Sequence, residues 1–309
     1  MNQKGTESSS APVGPPALGA SVQEWLHWLE AIHPTEIDLG LDRVLVVLRR
    51  LFPRKPQARI ITVAGTNGKG TTVTALESIL LAAGKGARMK ECVPDKVLVE
   101  VNQKTLFLHC LEAFLEANVA DTWIITYRDS RQKDLLSEET EKLNPRPRKV
   151  IWVKGGRERR DSVRNALSRI PEETKIIFVH DCARPMIQPD SLVELLEHAV
   201  EEGAAALGRP VQDTLKQIDD MHASKPQTCG TARREMLWAV ETPQVFQKDL
   251  LLDGMRKAKM ESLPVTDETS AVELLARSVR LINPAYPNPK VTTSDDLNYV
   301  EFLLTKSTT

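Results

Sequence analysis

The sequence predicts an α/β fold, a parallel sheet with helices on both faces, and three observations carry that prediction. Short apolar runs recur at residues 79–81, 123–126, 150–153, 176–179 and 204–207. Strands buried on both faces of a parallel sheet read as unbroken runs rather than as alternating patterns. Amphipathic stretches separate the runs, as layered α/β domains require. The clearest covers residues 105–115, with Leu106, Phe107, Cys110, Leu111 and Phe114 on one face. Finally, loops rich in glycine and cations follow the first and third runs, and a loop pairing a carboxylate with a guanidinium follows the fourth. Ligands in such sheets bind beyond the carboxyl ends of the strands, so chemistry is expected in those loops.

In chain order, residues 1–20 are rich in Gly, Pro and Ser and are expected to be disordered. Ser21-Val22-Gln23-Glu24 is a capping-box pattern that opens a helix carrying Trp25, Leu26, Leu29 and Ile32. Val44, Val47, Leu48 and Leu51 form the stripe of a second helix, which Pro53 ends. Residues 59–64 (RIITVA) read as a buried strand leading into GTNGKGTT at 65–72. Residues 211–235 then break the α/β rhythm with a polar stretch, expected to be a projecting arm or hairpin or else a long surface loop.

At 309 residues the chain allows one large domain or two smaller ones. Lys plus Arg number 41 against 42 for Asp plus Glu, a net charge of -1. A general nucleic-acid binder needs a basic surplus, so none is expected. Cys92, Cys110, Cys182 and Cys229 are widely spaced, which disfavours a paired-cysteine zinc site and fits a reducing, cytoplasmic setting. No apolar run approaches the length of a membrane span, and the first residues lack the apolar segment of a secretory signal.

Three loops carry the candidate chemistry. Residues 82–89 (AAGKGARM), followed by Pro94-Asp95-Lys96, combine small residues that let backbone N–H groups approach phosphate with the cations Arg88 and Lys96. Residues 155–163 (GGRERRDSV) offer two glycines for a flat approach to a base and Ser162 as a helix cap. A plain glycine turn with a cap would account for them equally well. In residues 180–185 (HDCARP), Asp181 and Arg184 suit a metal–phosphate or sugar–phosphate site, or form a structural pair. His180 reads either as a general base or as a structural histidine.

Residues 78–309 resemble the 2-C-methyl-D-erythritol 4-phosphate cytidylyltransferase family through AAGKGARM, GGRERRDSV, VHDCARP, PVQDTLK, TPQVF, TDETSAVE and NPKVT, in that order. The resemblance implies a Rossmann-like nucleotidyltransferase sheet with a protruding β-arm, at about 211–235, that makes a homodimer. It implies transfer of CMP from CTP to methylerythritol phosphate with release of pyrophosphate, in nonmevalonate isoprenoid synthesis. Arg88 and Lys96 would stabilise the pentavalent transition state. Ala82, Ala83, Gly84, Gly86, Gly155, Gly156 and Ser162 would hold the nucleotide. Arg234 and Lys290 would hold methylerythritol phosphate, with Asp181, Arg184, Thr214, Thr242 and Thr266 lining the same pocket. Thr214, Lys216 and Arg234 would act across the dimer. Mg²⁺ would bridge the CTP phosphates, and no side chain is assigned as a metal ligand. The chain departs from the family pattern in placing Asp95 between Pro94 and Lys96, and in having Ala285, Tyr286 and Pro287 before the Asn-x-Lys motif.

Residues 21–84 resemble the start of folylpolyglutamate synthase, with a P-loop in which Gly68, Lys69 and Thr71 would make a second phosphate site. The domain organisation expected is therefore a tail (1–20), a P-loop appendage (21–77) and a cytidylyltransferase domain (78–309). The two resemblances conflict at residues 71–83, which must be helix in one and central strand in the other. The expectation is strand at 78–82, with helix limited to about 71–77. Two other functions fit less of the sequence: an ATP-dependent folate–glutamate ligase remnant and an inactive nucleotide-binding fusion.

Overall fold

The computed structural model describes residues 75–84, 95–220 and 224–306. Its first element is strand β1, Ala75–Leu81, which pairs in parallel with a strand on each side. The disputed segment is therefore strand, and it begins at Ala75, three residues before the expected start. A helix over residues 71–77 cannot coexist with it. Two hydrogen-bonded ladders and burial on both faces favour the strand: Ile79 and Leu80, which point to opposite faces, are both fully buried.

A short ribbon follows, β2 (Glu100–Val101) with β3 (Lys104–Thr105), and then helix α1, Leu106–Ala117. Thr105 caps α1 by accepting from Leu108 N at 3.1 Å, and Asn118 ends it in the left-handed region at φ 50. Strand β4 (Thr122–Tyr127), helix α2 (Ser130–Glu141), strand β5 (Lys149–Lys154), helix α3 (Arg159–Leu167) and strand β6 (Thr174–Asp181) continue the alternation. Helix α4 (Pro189–Glu202) starts with proline at its first turn and ends at Gly203, whose φ of 97 suits glycine. Strand β7 (Ala204–Pro210) leads into a hairpin of β8 (Lys216–Ile218) and β9 (Thr228–Thr231), within the stretch expected as an arm. Strand β10 (Trp238–Gln247) returns, followed by helices α5 (Lys248–Met260) and α6 (Glu268–Glu273), strand β11 (Arg280–Ile282) and helix α7 (Ser294–Lys306).

The main sheet has seven strands in the order β11-β7-β10-β6-β1-β4-β5, with β10 antiparallel to both neighbours. Strand β1 is where the order reverses: β4 and β5 lie to one side of it and β6 to the other. In open sheets this reversal opens a crevice at the carboxyl ends. One face packs Leu80, Phe107, Phe114, Phe178 and Leu195 under α1 and α4. The other packs Ile79, Ile124, Val163, Ile177, Phe246 and Leu251 under α3 and α5. A third cluster of Leu106, Met186, Val291 and Val300 seats α7. Among the described residues, no helix is long and apolar enough to cross a membrane.

Candidate active site

A cleft of about 460 Å³ opens at the carboxyl ends of β1, β4, β5 and β6. Ala83 and Gly84 bring the end of β1 to it, and Gly155, Gly156 and Ser162 bring the turn after β5. Lys96, Asp181 and Lys290 place charge in the same space. Residues from five stretches, spread over some two hundred positions of sequence, thus converge on one sheet edge.

Local structure explains each placement. Gly155 N donates to Tyr127 O at 2.7 Å, which folds the turn back on β4. A Cβ on Gly155 would lie 2.5 Å from Ala83 Cβ, and one on Gly156 would lie 2.2 Å from Asp161 Cβ. The glycines are therefore needed for close packing of the turn against β1 and α3, beyond any approach of a base. Ser162 does not cap α3. Glu158 is the N-cap residue, with Glu158 N donating to Asp161 Oδ2 at 3.2 Å, while Ser162 Oγ accepts from Gly156 N at 3.0 Å. Ser162 thus fixes the glycine turn.

Asp181 ends β6 and lies between two cations. Its Oδ1 accepts from Arg159 Nε at 2.9 Å and its Oδ2 from Lys290 Nζ at 2.5 Å. Burial alone would push this carboxyl up, but the charges of Arg159 and Lys290 outweigh it and hold the group well below the usual carboxylate range. Asp181 is therefore ionised at neutral pH. Lys290 is brought there by Val291 N, which donates to Ala183 O at 2.8 Å. Arg159 reaches further, with NH1 and NH2 donating to the buried Glu268 at 2.8 and 2.9 Å.

The family model for 2-C-methyl-D-erythritol 4-phosphate cytidylyltransferase (IspD) matches residues 76–306. The chain belongs to that family. It is 36% identical over 233 residues to the cytidylyltransferase of Shouchella clausii, covering 74% of this chain and 96% of that one. It is 34% identical over 240 residues to the chloroplastic cytidylyltransferase of Oryza sativa subsp. japonica, covering 78% of each. The Francisella tularensis cytidylyltransferase structure matches with a TM-score of 0.61 at 27% identity, covering 74% of this chain and all of that one. The match begins one residue after β1 starts, so the cytidylyltransferase fold and the described sheet coincide.

Other residues expected at the cytidylyltransferase site stand apart from the cleft lining. Ala82 is buried beneath it, its N–H donating to Thr126 Oγ1 at 3.2 Å. Thr242 is also buried, and its Oγ1 accepts from Asp181 N at 3.1 Å, so it supports Asp181 from below. His180 is fully buried, with Nε2 at 3.2 Å from Arg184 O and Nδ1 at 3.3 Å from Thr242 Oγ1, which fits the structural reading. Arg184 donates to Asn288 O at 2.7 Å. Thr266 is exposed, just ahead of the capping box in which Asp267 accepts from Ser270 N at 3.1 Å. Thr214 and Arg234 are exposed on the segment that carries the hairpin, Arg234 donating to Gln212 O at 2.7 Å. Lys216 in β8 donates to Thr231 Oγ1 at 2.6 Å. Gly68, Lys69, Thr71, Gly86 and Arg88 lie outside the described residues.

Sequence reasoning missed Arg159 and Glu268 as a pair. Both lie inside quoted motifs, yet their 109-residue separation gives no local signal. It also missed the buried pair Asp95 and Gln132 with the half-buried Arg128 beside them. Asp95, the extra residue before Lys96, accepts from Gln132 Nε2 at 2.7 Å and from Arg128 NH2 at 3.1 Å.

Proposed function

We propose that the cleft joins the phosphate of methylerythritol phosphate to the α-phosphorus of CTP. A phosphate oxygen forms the new bond to that phosphorus, the bond to the β-phosphate oxygen breaks, and pyrophosphate leaves. An anion attacks a polyanion here, so the protein must position both and neutralise charge. The observation that carries the reading is the placement of Lys96 and Lys290 in one cleft with the turn of Gly155 and Gly156. In this reading Lys96, with Arg88, stabilises charge on the pentavalent phosphorus. The backbone at Ala83 and Gly84, with Gly155, Gly156 and Ser162, holds the cytidine. Lys290 holds the methylerythritol phosphate, and Asp181 keeps Lys290 aimed. Thr242 acts through Asp181.

CTP enters as its Mg²⁺ complex. Among the described residues, Asp181 and Glu158 are the carboxylates lining the cleft, and both oxygens of Asp181 are engaged by cations. Such a donor set fits a metal held chiefly by triphosphate oxygens, where it would neutralise phosphate charge. Homodimerisation through the hairpin segment is supported by the exposed Leu215, Ile218, Met236 and Trp238 along it. In that assembly Thr214, Lys216 and Arg234 would serve the other copy's cleft, and Arg184 and Thr266 would flank it. The cysteine pattern supports a cytoplasmic setting. Gly68, Lys69 and Thr71 would bind a second phosphate group, which ATP titration of wild type against Lys69→Ala tests.

Incubation with Mg²⁺, CTP and methylerythritol phosphate should release pyrophosphate, and Arg88→Ala should abolish it. CTP binding without pyrophosphate release would overturn the reading in favour of an inactive nucleotide-binding protein. ADP formation dependent on folate and glutamate would favour the ligase.

A further inference from the structure

One buried amide ties together two backbone stretches that meet at the cleft. Gln132 is 1% exposed in the first turn of α2. Its Nε2 donates to Ala82 O at 3.1 Å, just beyond the end of β1, and to Asp95 Oδ2 at 2.7 Å. Its Oε1 accepts from Arg128 N at 2.6 Å, just beyond the end of β4. Both donor hydrogens and the acceptor of the amide are therefore engaged. Arg128 NH2 donates to the same Asp95 oxygen at 3.1 Å. Asp129 Oδ1 accepts from Gln132 N at 2.9 Å and so fixes the turn on which the amide sits.

Two of the clamped groups are one residue from the cleft, and the third, Arg128, lines it. Ala83 follows Ala82, and Lys96 follows Asp95; both line it. The Asp95 carbonyl also accepts from Leu98 N at 3.3 Å, which starts the 3-10 turn Lys96–Leu98. A buried carboxylate is a poor source of net stability, because desolvation opposes whatever its partners contribute. What this one does supply is a fixed distance between two chain segments.

We propose that Gln132 and Asp95 form a clamp that sets Lys96 against Ala83 and Gly84 across the cleft, making both positioning residues of the cytidylyl transfer. The inference rests on the reading of Lys96 as the cation at the transferring phosphorus. Gln132→Met keeps the side-chain volume and removes the amide. A misplacement of about 1 Å costs on the order of 100-fold in rate, so kcat for pyrophosphate release should fall about 30- to 100-fold. The KM for CTP should rise by a smaller factor than kcat falls, because the clamp loosens only the Ala83 side of the nucleotide site and leaves the turn after β5 untouched. Combined with Lys96→Ala, Gln132→Met should lower kcat by no more than about twofold further, since its effect acts through that lysine.

Asp95→Ala should reproduce the loss from the other end. Asp95→Asn should regain at least about tenfold over Ala, because its amide oxygen still accepts from Gln132. Should Gln132→Met fail to fold, the Asp95 pair decides alone. Wild-type kcat in Asp95→Ala, no recovery in Asp95→Asn, or losses that multiply with that of Lys96→Ala would each overturn the clamp while leaving Lys96 in place. Wild-type kcat in Lys96→Ala would overturn the role of Lys96 itself, and the clamp with it.

Discussion

Replacing Arg159 by Met removes the cation shared by two buried carboxylates. Glu268, 2% exposed, loses both hydrogen bonds from the guanidinium, whereas Asp181 retains Lys290 at 2.5 Å. Removing one partner of a buried ion pair costs about 3–5 kcal/mol. The Arg159 side chain is 29% exposed, so water screens part of the pair and the lower end, about 3 kcal/mol, applies. At about 2–4 °C per kcal/mol for a unit of this size, the thermal midpoint should fall by about 6–12 °C at pH 7. The sign with pH follows from the two carboxyls. Asp181 is held below its ordinary value, so its stabilisation is present above the unfolded pKa and is lost as pH falls through the folded one. Glu268 is pushed up by burial even with Arg159 beside it, and further without it, so acid relieves its cost. The deficit of Arg159→Met should therefore be largest at pH 7 and smaller at pH 5. Adding Glu268→Gln to Arg159→Met should recover part of it, because the orphaned charge is gone. Thermal and urea unfolding followed by circular dichroism measure all three variants. A shift under about 2 °C at pH 7, or a deficit that grows in acid, would refute the argument.

Four further outcomes are expected. Lys96→Ala should lower kcat about 100- to 1,000-fold, the usual cost of removing one preorganised charge stabiliser, in a pyrophosphate-release assay. Gly156→Ala forces a Cβ to 2.2 Å from Asp161 Cβ and should destabilise by about 1–3 kcal/mol in urea unfolding. Phe178→Ala empties a fully buried site beside Phe114, whose ring centroid is 6.0 Å away, and should cost about 3–5 kcal/mol by the same measurement. Thr105→Val removes the cap of α1 and the bond to Glu139 Oε2, lowering stability by about 1 kcal/mol or more.

The strands were legible because central parallel strands must be apolar on both faces. The runs at 79–81, 123–126, 150–153, 176–179 and 204–207 all lie within β1, β4, β5, β6 and β7. Helix α1 was legible from its apolar stripe and is placed within two residues. Strand β11 was not read: three residues beginning with an exposed Arg280 carry no period. Glycine-rich loops marked the cleft because their composition is local. The ion pairs and hydrogen bonds behind it were invisible, since Arg159, Glu268, Asp95 and Gln132 look like ordinary surface residues until the fold brings distant segments together. The partner of Ser162 was not legible, because helix capping by Glu158 depends on where the turn actually starts.

Strand β10 has a consequence that reaches beyond the sheet. Its first residues pair with the end of β7 at the root of the hairpin, Trp238 opposite Pro210, and its middle carries Thr242 beneath the Asp181 amide. The root of the hairpin and the support beneath Asp181 thus lie four positions apart on one continuous stretch of chain. A partner that displaced Trp238 would therefore act within five residues of the hydroxyl that holds the Asp181 amide.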